Sequence, residues 1–226
     1  TSRGLGDVYK RQAQWDNMVA YQTPDFAGFK VYAQYGMGTN GHENESSSDR
    51  YYALGATYNN GPFAGYFAID SINYESVVNK DVDDSLTVTL GGSYDFEAVK
   101  VYLGAQYFDE VKLSNFKGVI KAAGVGQSNK VKGYGISLTG DAPVLGGKAM
   151  FGIGYTDAES ADSEDKSADV ELQRYVVSVG YDYPFSKRTD VYAVASYMQD
   201  SWEDKVNKED ADPSAYTFYV GLRHRF

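Results

Sequence analysis

Two residues, His42 and His224, could carry a proton near neutral pH, and there is no cysteine to act as a thiol nucleophile or soft metal ligand. His42 sits in an acidic stretch rich in Gly, Asn and Ser, and His224 falls on a face that otherwise reads apolar. Neither is placed to serve as the base of a Ser-His-Asp set. The sequence therefore offers no catalytic residue, no His/Cys metal site and no cofactor motif. Calcium at the paired carboxylates Glu164 and Asp165 or Glu203 and Asp204 stays open, with a solvated acidic loop the stronger reading. Two Gly-rich fragments lead nowhere: Ala149 stands in VLGGKAM where a phosphate loop needs Ser or Thr, and GVGQSN at 124–129 has no strand-to-helix context.

What remains is charge displayed along a surface. Lys30, Lys100, Lys148, Arg174, Arg223 and Arg225 as bases, and Asp70, Asp95, Asp141 and Asp182 as acids, share one parity within alternating segments, together with Tyr32, Tyr66, Tyr102 and Tyr219. Bases facing acids across a water-filled space would set up a transverse field that orients solutes and discriminates among ions.

The segments that position them repeat with period two. In SLTVTLGGSYDF, Leu86, Val88, Leu90, Tyr94 and Phe96 share one face, and Ser85, Thr87, Thr89, Ser93 and Asp95 the other, as in a strand and not a helix. The pattern recurs in about eleven segments, at 17–23, 29–36, 50–59, 63–74, 84–95, 99–110, 131–142, 147–157, 171–183, 189–200 and 214–226. Connections alternate strictly between short ones (23–28, 60–62, 97–98, 143–146, 184–188) and long ones (37–49, 75–83, 111–130, 158–170, 201–213). Short turns on one rim and long loops on the other mark a transmembrane barrel, whereas a sandwich mixes its loop lengths.

Composition agrees. Of 226 residues, 24 are Gly and 21 Tyr, and mean hydropathy is only −0.46. No apolar run is long enough for a membrane helix, but barrel strands alternate lipid-facing and lumen-facing residues and keep the average low. A net charge of −10 argues against a nucleic-acid partner. The rows Tyr52, Leu54, Ala56, Tyr58 and Tyr175, Val177, Val179, Tyr181, Tyr183 bracket aliphatic or small residues with tyrosines. Eight strand residues tilted by ~40° cover roughly 20 Å, close to the ~25 Å apolar band between aromatic girdles. The last segment, AYTFYVGLRHRF, would place Tyr216, Phe218, Val220, Leu222, His224 and Phe226 outward, ending on an aromatic residue.

With these residues in view, DNMVAYQTPDFAGFKVYAQYG (Asp16 to Gly36) and VGLRHRF (Val220 to Phe226) resemble the general trimeric porins of Gram-negative bacteria, of neisserial and burkholderial type. The first is similar to that family's hairpin after the constriction loop, the second to its closing strand, with Phe226 as its C-terminal assembly signal. The resemblance implies an all-β fold, an antiparallel transmembrane β-barrel of about sixteen strands in the full protein, of which about eleven are present here. It further implies a bacterial outer-membrane location, a homotrimer, contact with outer-membrane lipid and the barrel-assembly machinery, and passive transport of ions and small hydrophilic solutes through a general diffusion channel. Ala20 precedes Tyr21 where the family commonly has a lumen arginine, so weak cation preference or little selectivity is expected.

By strand parity the chain is expected to begin in mid-barrel, with on the order of 100 residues preceding it in the full protein. Thr1 to Gln12 do not alternate and read as a non-native segment, leaving 13–226 as the C-terminal part of the barrel. The competing readings are a soluble β-sandwich binding module and an outer-membrane barrel enzyme. The first would not need a lipid-facing surface, and the second would need the catalytic set that His42 and His224 fail to provide.

Overall fold

The computed structural model describes residues 18–37, 50–73, 83–112, 130–161, 169–206 and 208–225. Thr1 to Gln12, His42, residues 124–129, Glu164, Asp165 and Phe226 lie outside the described residues.

Every element is a strand: β1 (Met18–Gln22), β2 (Phe29–Gly36), β3 (Arg50–Asn60), β4 (Phe63–Asn73), β5 (Ser85–Asp95), β6 (Lys100–Lys112), β7 (Lys130–Val144), β8 (Gly147–Ser160), β9 (Val170–Pro184), β10 (Thr189–Asp204), β11 (Glu209–Ala211) and β12 (Ser214–His224). They form one antiparallel meander from β1 to β10, with β11 and β12 both pairing β10. Eleven strands were expected and lie where the alternation put them. β11 is additional, within a stretch read as loop, and β10 runs on to Asp204 instead of stopping at 200. Consequently Glu203 and Asp204 are not loop residues: Glu203 pairs Glu171 and Asp204 pairs Val170 in the ladder. The Asp204 carboxylate accepts the backbone N–H of Val206 at 3.0 Å, a use that competes with any cation.

Register follows from the alternation, because slipping one strand by one residue would exchange its faces. Leu54 pairs Ile69, Ile69 pairs Val88, Val88 pairs Tyr107 and Tyr107 pairs Tyr134, so one apolar face continues from strand to strand. This face is open: Leu103 is 62% exposed, Val179 56% and Val220 64%. A sandwich would bury such a face against a second sheet; here only one sheet exists among the described residues, and the aliphatic band is contiguous, as a lipid-facing surface requires. Tyrosines and phenylalanines pack in pairs at both borders of the band. Toward the short turns lie Tyr58 with Phe63, Tyr94 with Phe96 and Tyr183 with Phe185; toward the long connections lie Tyr35 with Tyr52, Tyr155 with Tyr175 and Tyr197 with Tyr216. These are the girdles, whose rings fill the acyl boundary while their hydroxyls reach water.

Two short turns show how tightly that rim is built. Gly28 has φ +90°, and a Cβ there would stand 2.0 Å from the Asn59 carbonyl oxygen, so the turn after β1 admits no side chain as it packs on β3. Between β7 and β8, Leu145 (φ 48°) and Gly146 (φ 79°) both occupy the left-handed region, the two-residue hairpin geometry that favours Asn at the first position. Leu145 is 90% exposed and gains no packing to offset its backbone strain. Leu145→Asn is expected to stabilise the folded protein by about 1 kcal/mol, read as a higher urea midpoint for the refolded full-length barrel.

The small buried core is on the other face, near the long connections. Phe108, Val131, Ala158, Val170, Leu172 and Trp202 cluster there, with Val111 and Ala211 against them. A β-bulge between Phe108 and Val111 puts Glu110 at φ 54°, and its carboxylate reaches the Lys130 ammonium at 3.2 Å, with both side chains under 10% exposed.

Candidate functional site: the polar face of the sheet

Register makes the polar face an ordered array of charges. Asp95 on β5 pairs Lys100 on β6, Lys100 pairs Asp141 on β7, and Lys148 on β8 pairs Asp182 on β9. Asp141 and Lys148 are joined diagonally at 3.3 Å. On β10 and β12, Asp190 pairs Arg223, whose guanidinium donates to Asp190 Oδ1 at 2.9 Å and to Asp182 Oδ2 at 2.9 Å. Arg225 approaches Asp190 at 3.9 Å. Acid and base thus alternate from β5 to β9 in one band at the short-turn end, and Arg223 on β12 then bridges the two acids that β9 and β10 bring side by side, Asp182 and Asp190.

A second pair stands nearer the long connections. Arg174 on β9 donates to Asp200 on β10 from Nε at 2.7 Å and from Nη2 at 3.1 Å, the two-pronged geometry that a guanidinium and a carboxylate share. The Asp200 side chain is 1% exposed, directly below the apolar cluster that Leu172 and Trp202 form. Just past the end of β10, Lys205 hydrogen-bonds the carboxylate of Glu171 near the start of β9, which holds its ammonium pKa above the ordinary lysine value; the pair is exposed and contributes little to stability.

Of the ten ionisable residues expected on this face, Lys100, Lys148, Arg223, Arg225, Asp95, Asp141 and Asp182 come together in the ladder, and Arg174 forms the upper pair. Lys30 and Asp70 join neither. Lys30 reaches back to Asp25 in the first short turn at 3.6 Å, and Asp70 stands beside Tyr51 and Tyr66 around a hollow of 270 Å³. Sequence reasoning missed the acids that hold the two arginines, Asp190 and Asp200. Both share the parity of their neighbours Tyr192 and Met198, and that parity was the available signal.

The other half of the face is nearly uncharged. Tyr32, Tyr66 and Tyr102 project from β2, β4 and β6 over Thr57, Ser137 and Thr139, around a hollow of 510 Å³. Gln106 Nε2 donates to Thr89 Oγ1 at 3.1 Å beside it, and Tyr102 donates its hydroxyl to Asp141 at 3.0 Å, linking the tyrosines to the ladder.

A single sheet with an open aliphatic face, two aromatic borders and a charged polar face is a section of a membrane barrel wall. The family model described as Gram-negative porin matches residues 1–202. This chain belongs to that family. An outer membrane porin protein of Bordetella pertussis is 29% identical over 253 residues, covering 99% of this chain and 60% of its own length. The major outer membrane protein P.IB of Neisseria sicca is 28% identical, covering 92% of this chain and 58% of its own. Among solved structures, the anion-selective porin from Comamonas acidovorans superposes with a TM-score of 0.63 at 21% identity, over 94% of this chain and 60% of that one. The chain thus spans about three-fifths of the length of these porins.

Proposed function

We propose that the full-length protein is an outer-membrane general diffusion porin, a homotrimer whose water-filled lumen passes ions and small hydrophilic solutes without catalysis. The observation that carries this reading is the division of one sheet into an exposed aliphatic face bordered by aromatic pairs and a polar face with a band of paired acids and bases. Such a wall separates water from lipid and performs no bond chemistry; its levers are width and field. Outer-membrane lipid is the partner of the apolar face. The barrel-assembly machinery is the partner assigned to the closing strand and Phe226, and Thr1 to Gln12 are taken as foreign to the barrel. Small solutes and ions are the cargo, and no cofactor or metal enters the mechanism.

Selectivity is proposed to be weak. The ladder's acids and bases neutralise one another in pairs, and Ala20 adds no cation to the wall. Reconstituted in a planar bilayer, the full-length protein is expected to give stepwise conductance with a reversal potential near zero or slightly cation-selective in a salt gradient. Absence of steps would overturn the pore, and a clear anion-selective potential would overturn the reading of the ladder.

A further inference from the structure

We propose that the uncharged half of the lumen wall is a binding step for neutral saccharides, built on the ring of Tyr66. The inference rests on the pore reading and adds a solute class to it. The 510 Å³ hollow falls within the ~300–1,000 Å³ range of small-molecule sites, and no acidic or basic side chain among the described residues lines it. Its walls are three tyrosines together with the hydroxyls of Thr57, Ser137 and Thr139. The charges nearest to it, Lys100 and Asp141 at Tyr102, belong to the ladder and do not line the hollow, so an inorganic ion gains little inside it. A fully apolar solute would strip water from hydroxyls that it cannot replace. A sugar suits both parts of the wall: its C–H face lies on an aromatic ring, and its rim of hydroxyls exchanges hydrogen bonds with Ser and Thr.

The backbone is shaped to present that ring. A Cβ on Gly91 would lie 2.5 Å from both Cζ and the hydroxyl oxygen of Tyr66, so the outer end of the ring rests directly on bare backbone. Gly104 keeps the next strand equally low, since a Cβ there would stand 3.0 Å from Ser137 Oγ and 3.7 Å from the Tyr66 hydroxyl. Tyr66 remains 46% exposed, its ring available to a solute in the lumen. Tyr102 is fixed alongside by its hydrogen bond to Asp141 and by the Lys100 ammonium 5.4 Å from its ring centroid.

The test uses the full-length protein in a planar bilayer in 1 M KCl, titrated with maltose and, separately, with a polyethylene glycol of matched hydrodynamic size. Maltose is expected to reduce the open-channel current along a saturating curve, and the polymer in simple proportion to its concentration. Tyr66→Ala should raise the half-saturating maltose concentration about tenfold, as should Gly91→Ala through displacement of the ring, while Tyr66→Phe, which keeps the ring face, should change it by less than about threefold. Equal, unsaturated reductions by maltose and polymer in the wild type would overturn the site, and so would a saturation curve unmoved by Tyr66→Ala. Failure of the pore reading is read separately, as the absence of conductance steps before any sugar is added.

Discussion

Arg174→Met is expected to destabilise the folded protein by about 3–5 kcal/mol, because it strands the Asp200 carboxylate in a site that is 1% exposed. The guanidinium supplies two hydrogen bonds, at 2.7 and 3.1 Å, and the positive charge that balances Asp200 from the neighbouring strand. What surrounds the pair makes the loss large. Trp202 follows two residues along β10 on the same face, and Leu172 pairs Trp202 from β9, so the carboxylate lies against apolar side chains and not against water. Removing both charges together, Arg174→Met with Asp200→Leu, should recover most of the loss, since an apolar pair of similar volume in a buried position often matches an ion pair or exceeds it. Urea titration of the refolded full-length protein, followed by the heat-modifiable shift of the folded band, gives the three midpoints. Equal midpoints for wild type and Arg174→Met would show that water reaches Asp200 and that the pair is a surface contact. A double variant no more stable than the single one would show that the pair itself, and not the stranded charge, holds β9 to β10.

The strand pattern of this wall was legible because porin strands are long and alternate without interruption, so parity alone assigns each side chain to lipid or lumen. Tyr52, Leu54 and Tyr58 could only face one way once Tyr51 and Thr57 faced the other. β11 was illegible for the converse reason: Glu209 to Ala211 is a three-residue strand with no apolar alternation, and it is held by pairing to the end of β10 and not by its own sequence. Partners were harder to read than faces. Arg223 and Asp182 were both placed on the lumen side, but their contact depends on β12 lying against β10 in the register that sets Arg223 beside Asp190, and alternation within one strand does not set register between two. Lys30 shows the limit from the other direction, since its parity is that of the ladder while its charge is taken by Asp25 in the adjacent turn. The Tyr66 platform was half visible: the tyrosines were assigned inward, but the glycine beneath the ring belongs to β5, the strand paired with β4, and only the fold joins them.

The second large effect is on selectivity, and Arg223 is its hinge. It binds two carboxylates, Asp182 and Asp190, so Arg223→Gln removes one positive charge and releases two negative ones from their closest partner at a single level of the pore. Lys148, opposite Asp182, is already engaged by Asp141, and Arg225 stands 3.9 Å from Asp190 at the chain's end; neither can replace the fork. A unit charge about 10 Å from a permeating ion at water-like dielectric biases its energy by ~0.4 kcal/mol, with opposite sign for cation and anion, or up to about fourfold in the cation-to-anion permeability ratio before salt screening. The change should be largest in dilute salt and fade toward 1 M, where the screening length falls to about 3 Å. Arg223→Lys separates charge from geometry: a lysine restores the positive charge, so the reversal potential should return to the wild-type value, but it cannot grip both carboxylates, so β12 should detach from β10 at lower urea. If Arg223→Gln leaves the reversal potential unchanged at 0.1 M KCl, the ladder faces a part of the lumen that ions do not traverse, and its role is confined to fastening the closing strand. If Arg223→Lys shifts the potential as far as Arg223→Gln does, the field at this level is set by the orientation of Asp182 and Asp190, and the guanidinium matters as a clamp that aims them.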